Sequence, residues 1–205
     1  SPFLLSSASA QIDTDLSPLQ ASEPPPKREG RTTYAGISGN WVDNNTDGAL
    51  GVALRVGWNF AGVAPYFLST DVEVEASYWE LDSEVSYGVE KGTAQTKNLP
   101  VMVNLRVNAP LSDTGLLLYG GGGAGISYID IQGSGPGGQS INDTGAVFTY
   151  AFFAGIGVYV TERVTLRAGY RSLWITDDTF NDGGVEVKLS TERNDIFELS
   201  ARLDF

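Results

Sequence analysis

The feature that most constrains this chain is a period-two alternation of apolar and polar residues that recurs, from Thr32 onward, in segments of about ten residues. Successive side chains of a strand point to opposite faces, so alternation sorts each segment into two surfaces. Near 192–205, Phe197, Leu199, Ala201, Leu203 and Phe205 share one face, and Glu198, Ser200, Arg202 and Asp204 the other. Near 97–108, Leu99, Val101, Val103, Leu105 and Val107 oppose Asn98, Met102, Asn104 and Arg106. Near 50–60, Leu50, Val52, Leu54, Val56, Trp58 and Phe60 oppose Gly51, Ala53, Arg55, Gly57 and Asn59. Near 163–176, Val164, Leu166, Ala168, Tyr170 and Trp174 oppose Thr165, Arg167, Gly169 and Arg171; near 70–81, Val72, Val74, Ala76 and Tyr78 oppose Asp71, Glu73, Glu75 and Ser77. Further segments near 32–42, 115–130 and 146–160 bring the strands to eight, separated by clusters of Gly, Asn, Asp, Ser and Pro. No helical period competes.

Which face meets solvent decides what kind of barrel this is. In a water-soluble barrel the polar face would be charged along its whole length. Here it carries Gly121, Gly123, Gly125, Thr149, Ala151, Gly155 and Gly157, small residues suited to a crowded interior. The same face holds Arg55, Arg106, Arg167, Arg171 and Arg202 beside Glu73, Glu75, Glu198 and Asp204, a near balance that implies an internal ion-pair network. The apolar face is therefore expected to meet lipid. A run of about 18 apolar residues, the mark of a membrane-spanning helix, is missing, and the mean hydropathy of -0.09 is what alternation in a transmembrane barrel produces. Backbone amides in hydrocarbon must pair strand to strand, so the sheet has to close. Aromatics gather near strand ends, Trp41, Tyr78, Tyr128, Tyr150 and Trp174 at one rim and Trp58, Phe60, Tyr159 and Phe205 at the other, as rings at the two water interfaces do. The fold expected is an all-β, eight-stranded, antiparallel, up-and-down transmembrane barrel over residues 31–205.

Connections alternate between longer polar ones (43–49, 82–96, 131–145 and 177–191) and generally shorter ones (61–69, 109–114 and 161–162), which puts the long loops outside the cell and both termini in the periplasm. Residues 1–10 read as the remnant of a signal peptide, apolar and ending in the small-x-small pattern Ala8-Ser9-Ala10, with cleavage nearer the true start an equal alternative. Residues 11–30, with Pro24-Pro25-Pro26 and no hydrophobic period, read as an extended periplasmic arm or linker, and as a docking element for a protein partner in the sharper alternative.

The eight strands, the glycine-rich fifth (Leu116 to Ile129, LLLYGGGGAGISYI), the alternating last strand and Phe205 resemble the small outer-membrane barrels of the opacity-protein and OmpA/OmpX transmembrane-domain type. The resemblance implies that Leu199, Ala201, Leu203 and Phe205 are the signal read by the barrel-assembly machinery. It implies roles in envelope integrity, adhesion and surface contact, with small pores in some members, so fold alone does not select the function.

Composition removes other classes. With 25 acidic against 13 basic residues the formal charge is -12, which repels nucleic acid. No Cys and no His leaves no thiol nucleophile, no imidazole metal site and none of the usual triads, so no enzyme and no cofactor are expected. Gly120, Gly122 and Gly125 fit a dinucleotide fingerprint, but the segment continues as strand where that motif needs a helix. Asp43, Asn45 and Asp47 match half of a calcium loop; Leu54 stands where the bidentate Glu belongs, so a plain turn is favoured. The function expected is a structural and surface-interaction protein with a plugged, charge-paired lumen and acidic extracellular loops. Its partners would be outer-membrane lipid and lipopolysaccharide, and the alternative is a narrow porin-like channel for small solutes.

Overall fold

The computed structural model describes residues 33–43, 48–61, 68–87, 90–111, 114–134, 140–176, 178–182, 185–189 and 191–205. The expectations for residues 1–10 and 11–30, and for Asn45 and Asp47, lie outside them. Among the described residues ten strands follow one another: β1 (Thr33–Asp43), β2 (Gly48–Ala61), β3 (Ser69–Tyr87), β4 (Glu90–Pro110), β5 (Leu116–Ser134), β6 (Ser140–Tyr159), β7 (Val164–Ile175), β8 (Asp178–Asp182), β9 (Val185–Leu189) and β10 (Glu192–Asp204). Eight close into a barrel in the order β1-β10-β7-β6-β5-β4-β3-β2, while β8 and β9 pair only with each other. All the pairings are antiparallel, and the seam runs from Tyr34 opposite Asp204 to Asp43 opposite Asp195. Closure removes the edge that a sheet in hydrocarbon could not leave unpaired.

The alternation read from the sequence is the alternation of the wall. Ile37, Leu54, Val56, Val103, Ile126, Phe152, Ile156, Leu199 and Leu203 are exposed outward, whereas Arg55, Glu73, Glu75, Asn104, Arg106, Arg171, Glu198 and Arg202 are enclosed. The polarity of the two faces then inverts toward the loop end. Along β3 the inward series Asp71, Glu73, Glu75, Ser77 gives way to Trp79 and Leu81, while outward Val72, Val74, Ala76 and Tyr78 give way to Glu80 and Asp82. β5 repeats the inversion with Ile129 inward and Asp130 outward beyond Tyr128. Below it the wall is built for lipid; above it the wall is built like a water-soluble sheet. The change falls at the row of outward Trp41, Tyr78, Tyr128 and Trp174, leaving about nine residues of β3 below, the length a tilted strand needs to cross.

Three of the stretches expected as long loops are largely strand. β3 and β4 stay paired as far as Tyr87 and Glu90, and β5 and β6 as far as Ser134 and Ser140. Residues 82–87, 90–96, 131–134 and 140–145 therefore form a four-stranded sheet that rises past the end of β2, whose pairing with β3 begins at Gly51 and Trp79. The stretch 177–191 contains the β8–β9 hairpin. Polar residues on a solvated hairpin blur the hydrophobic alternation that marked the strands below. At the opposite end the chain turns tightly: Gly115 takes a φ of 70° before β5, and the Thr161 hydroxyl accepts from the backbone N–H groups of Arg163 and Val164 at 3.2 and 3.0 Å.

Candidate functional site: the enclosed charge network

Strand register places the charges. Arg55 on β2 lies directly opposite Glu75 on β3, and Asp71 opposite Arg106 on β4. The side chains then reach across the lumen. Arg55 Nε donates to Glu75 at 2.7 Å, and its two terminal nitrogens to the carboxylate of Glu198 at 2.9 and 2.5 Å. Arg171, on β7 at the far side, donates a fork to Glu75 at 2.6 and 2.7 Å and stands 3.5 Å from Glu198. Two guanidiniums and two carboxylates thus form a closed ring tying β2 and β3 to β7 and β10. Such bidentate, charge-assisted bonds fix geometry as well as energy.

Nearer the short-turn end, Arg106 donates to Glu73 at 2.9 Å, and Arg202 bridges Asp71 at 2.6 Å and Asp204 at 2.7 Å. Arg167 approaches Asp71 at 3.7 Å. All nine residues expected in the network are buried, and neutral donors fill remaining acceptor sites. Asn104 donates to Glu75 at 3.1 Å, Asn59 and Asn108 to Asp71 at 2.6 and 3.0 Å, and the Tyr34 hydroxyl to Glu73 at 2.8 Å. Tyr34 reaches that far because Gly57, opposite it, leaves room for the phenol. Aromatic faces pack on the enclosed guanidinium planes: Arg202 lies 3.6 Å from the Tyr34 ring centre, and Arg106 lies over both Tyr119 and Phe153.

Asp71 was missing from the expected network although it shares the parity of Glu73 and Glu75. With it, five arginines face five carboxylates inside the wall, so the interior is neutral while the chain is strongly acidic. Also absent from the expected interior are Val42, Trp79, Leu81, Leu173, Ile175 and Ile196, which form an apolar layer toward the loop end with Met102, a residue that the alternation does place inward. The signal of this layer was present in the inverted polarity of those strand ends. A second, smaller cluster of Leu117, Tyr119 and Phe153 lies toward the short turns. The gaps beside Glu75, Arg171 and Trp79, and beside Arg106 and Tyr119, leave no volume open to a water-sized sphere next to the ion pairs.

Of the aromatics expected at the interfaces, Trp41, Trp58, Phe60, Tyr78, Tyr128 and Phe205 are exposed on the outer wall. Tyr150 and Trp174 stack there, 5.3 Å apart. Tyr159 differs: it faces inward and packs against the Leu117, Tyr119 and Phe153 cluster, because it follows Gly155 and Gly157 on the inner face of β6. Leu199, Leu203 and Phe205 are exposed on the outer face of β10, with Ala201 half-buried among them. Asp43 is exposed at the end of β1, and no group of three acidic residues that could hold a metal ion occurs among the described residues.

Removing Arg202 tests the lower part of the network. Arg202→Ala is expected to destabilise the barrel by about 2 to 3 kcal/mol, measured by urea titration of the folded protein in detergent. The cost stays below the full value for a broken buried pair because Asp71 keeps Asn59, Asn108 and Arg167. An unchanged transition would mean that Asp71 and Asp204 do not depend on this guanidinium.

The family model described as outer membrane protein beta-barrel domain matches residues 3–193. The crystal structure of Neisserial surface protein A is similar at 17% identity with a TM-score of 0.51, covering 84% of this chain and 96% of that one. A major outer membrane protein from Thermus thermophilus is similar at 8% identity with a TM-score of 0.57, covering 84% and 99%. At such identities the likeness is one of fold. No curated protein matches the sequence.

Proposed function

The chain belongs to the outer membrane protein beta-barrel domain family, and from that premise we propose that it is a structural and surface-interaction protein of the bacterial outer membrane, its lumen closed by its own side chains. The observation that carries this reading is the ring of Arg55, Glu75, Arg171 and Glu198, which spans the lumen with its side chains almost wholly enclosed. A solute path along the barrel axis would have to break bidentate pairs in a low-dielectric interior. The apolar layer toward the loops adds a second obstruction. A chain without Cys or His supports a role without chemistry.

We place both termini in the periplasm and the tall β3–β6 sheet outside the cell, where its hairpins would meet partners. An epitope inserted at residues 135–139 would then bind antibody on intact cells; binding only after permeabilisation would reverse the orientation. Leu199, Ala201, Leu203 and Phe205 are the outward residues offered to the assembly machinery, and residues 11–30 are the segment offered to a periplasmic protein.

One observation favours the second reading, a narrow polar path. Buried polar atoms of Ser38, Asn40, Trp79, Asn98 and Asn194 lack a protein partner, and such groups ordinarily bind water. Planar-bilayer recording of the purified protein decides between them. Silence is expected; steady, reproducible openings would overturn the closed lumen.

A further inference from the structure

Among the described residues, the arginines outside the lumen are Arg163 and Arg193. Arg163 sits at a short turn. Arg193 sits at the loop end of β10, on the outer wall, one strand from Trp174 and two from Tyr150. It is held from several sides. Its Nε donates to the Ser172 hydroxyl at 2.8 Å and to Asp195 at 2.9 Å, and one terminal nitrogen donates to the Tyr170 hydroxyl at 2.9 Å. Tyr170 and Ser172 in turn donate to Asp195 at 2.6 and 2.9 Å. The guanidinium lies 5.9 Å from the Trp174 ring centre, and Trp174 stacks on Tyr150. Yet 52% of the Arg193 side chain remains exposed.

An exposed ion pair adds little stability and does not by itself explain so complete a cradle. What the cradle does is fix the direction of an arginine fork. The height of that fork is set by the wall itself: Trp174 belongs to the row where the outer face changes from apolar to polar, so Arg193 stands at headgroup level. A fixed fork beside a stacked indole suits a ligand that is both phosphorylated and sugar-bearing, with phosphate on the guanidinium and a ring face against the aromatic pair. We propose that Arg193, Trp174 and Tyr170 form an outer-wall site for the phosphorylated headgroup of a glycolipid in the leaflet that surrounds the loop end. The choice of glycolipid over phospholipid rests on the orientation given above.

The test uses the purified full chain in neutral detergent, with retained lipid counted by native mass spectrometry. The probes are bis-phosphorylated lipid A, its dephosphorylated form, phosphatidylglycerol and inorganic phosphate. Lipid A is expected to bind best and R193Q to weaken it about fivefold, the share of one basic residue at a membrane surface. R163Q, the same charge change at the opposite end, leaves binding unchanged, and inorganic phosphate does not displace the lipid. Equal binding by R193Q and the parent chain would overturn the site, as would an equal loss in R163Q. Equal, Arg193-dependent binding of phosphatidylglycerol would overturn the glycolipid assignment. Should R193Q yield no folded barrel, R193K carries the test, because it keeps the charge and loses the fork: weaker binding supports the site and unchanged binding overturns it. Orientation is read separately from the epitope on intact cells, so the two readings fail independently.

Discussion

Replacing Glu75 with leucine is expected to destabilise the folded barrel by roughly 3 to 5 kcal/mol, the cost of leaving buried charge without its partner. The carboxylate receives a fork from Arg171 at 2.6 and 2.7 Å, a bond from Arg55 at 2.7 Å and further bonds from Ser77 at 2.7 Å and Asn104 at 3.1 Å. Leucine fills a similar volume, so the loss isolates charge from shape. Arg55 keeps Glu198, but Arg171 is left with that same carboxylate at 3.5 Å, and two guanidiniums then share one acid in an enclosed interior that screens them poorly. Adding Arg171→Met to Glu75→Leu should recover most of the loss, because removing both members of a buried pair is far less costly than removing one. Urea titration in lipid vesicles and the folded band on unheated gels read both variants. A single variant within about 0.5 kcal/mol of the parent, as for an ordinary surface change, would mean the ring does not hold the wall. A double variant as unstable as the single would mean that packing, not charge, sets the cost.

How much of this was legible in the sequence depends on what alternation can encode. Between Thr70 and Tyr78 each residue of β3 announces its face, because lipid outside and paired charge inside are chemically opposite. Strand order followed from the same logic, since an up-and-down barrel pairs neighbours in sequence. The enclosed arginines were visible for the same reason. Asp71 has the parity of Glu73 and Glu75 and is enclosed with them by the same alternation. The inner apolar layer was harder. Trp79, Leu81 and Ile129 are inward where Tyr78 and Tyr128 are outward, so apolar residues stand on both faces for one turn of the pleat and the pattern loses its sign. Above that level Asp82 faces water as a loop residue would, and the strand that continues past it reads as a loop. Register across the lumen was not legible at all. That Arg55 meets Glu198, 143 positions away, follows from closure of the wall and from no local pattern.

The glycine-rich fifth strand is where sequence and interior meet most directly, and it gives the other large effect. Gly123→Val is expected to abolish the folded barrel, whereas Gly39→Val should leave it intact or stabilise it by up to about 1 kcal/mol, the usual gain on replacing a strand glycine. Gly123 faces inward opposite Asn104, and a Cβ there would lie 2.7 Å from the Val103 carbonyl oxygen and closer still to the Asn104 amide oxygen. The carbonyl belongs to the hydrogen-bonded neighbour strand and cannot retreat without opening the ladder. Asn104 cannot turn aside without releasing Glu75. Gly39 faces outward with nothing within 4 Å of a built Cβ, and Gly120, on the same strand as Gly123, meets only the Phe153 carbonyl oxygen at 3.6 Å. Gly120→Val should therefore behave like Gly39→Val although it lies three residues from the forbidden position. The contrast follows from barrel size: eight strands enclose a space just wide enough for side chains, so long arginines and glutamates from β2, β3, β7 and β10 fit only if β5 contributes no side chain at Gly121, Gly123 and Gly125. Folded yield and unfolding midpoint of the three valine variants read the claim. A well-folded Gly123→Val would show that the interior has room to spare, and the close-packed charge ring could not then be what closes it.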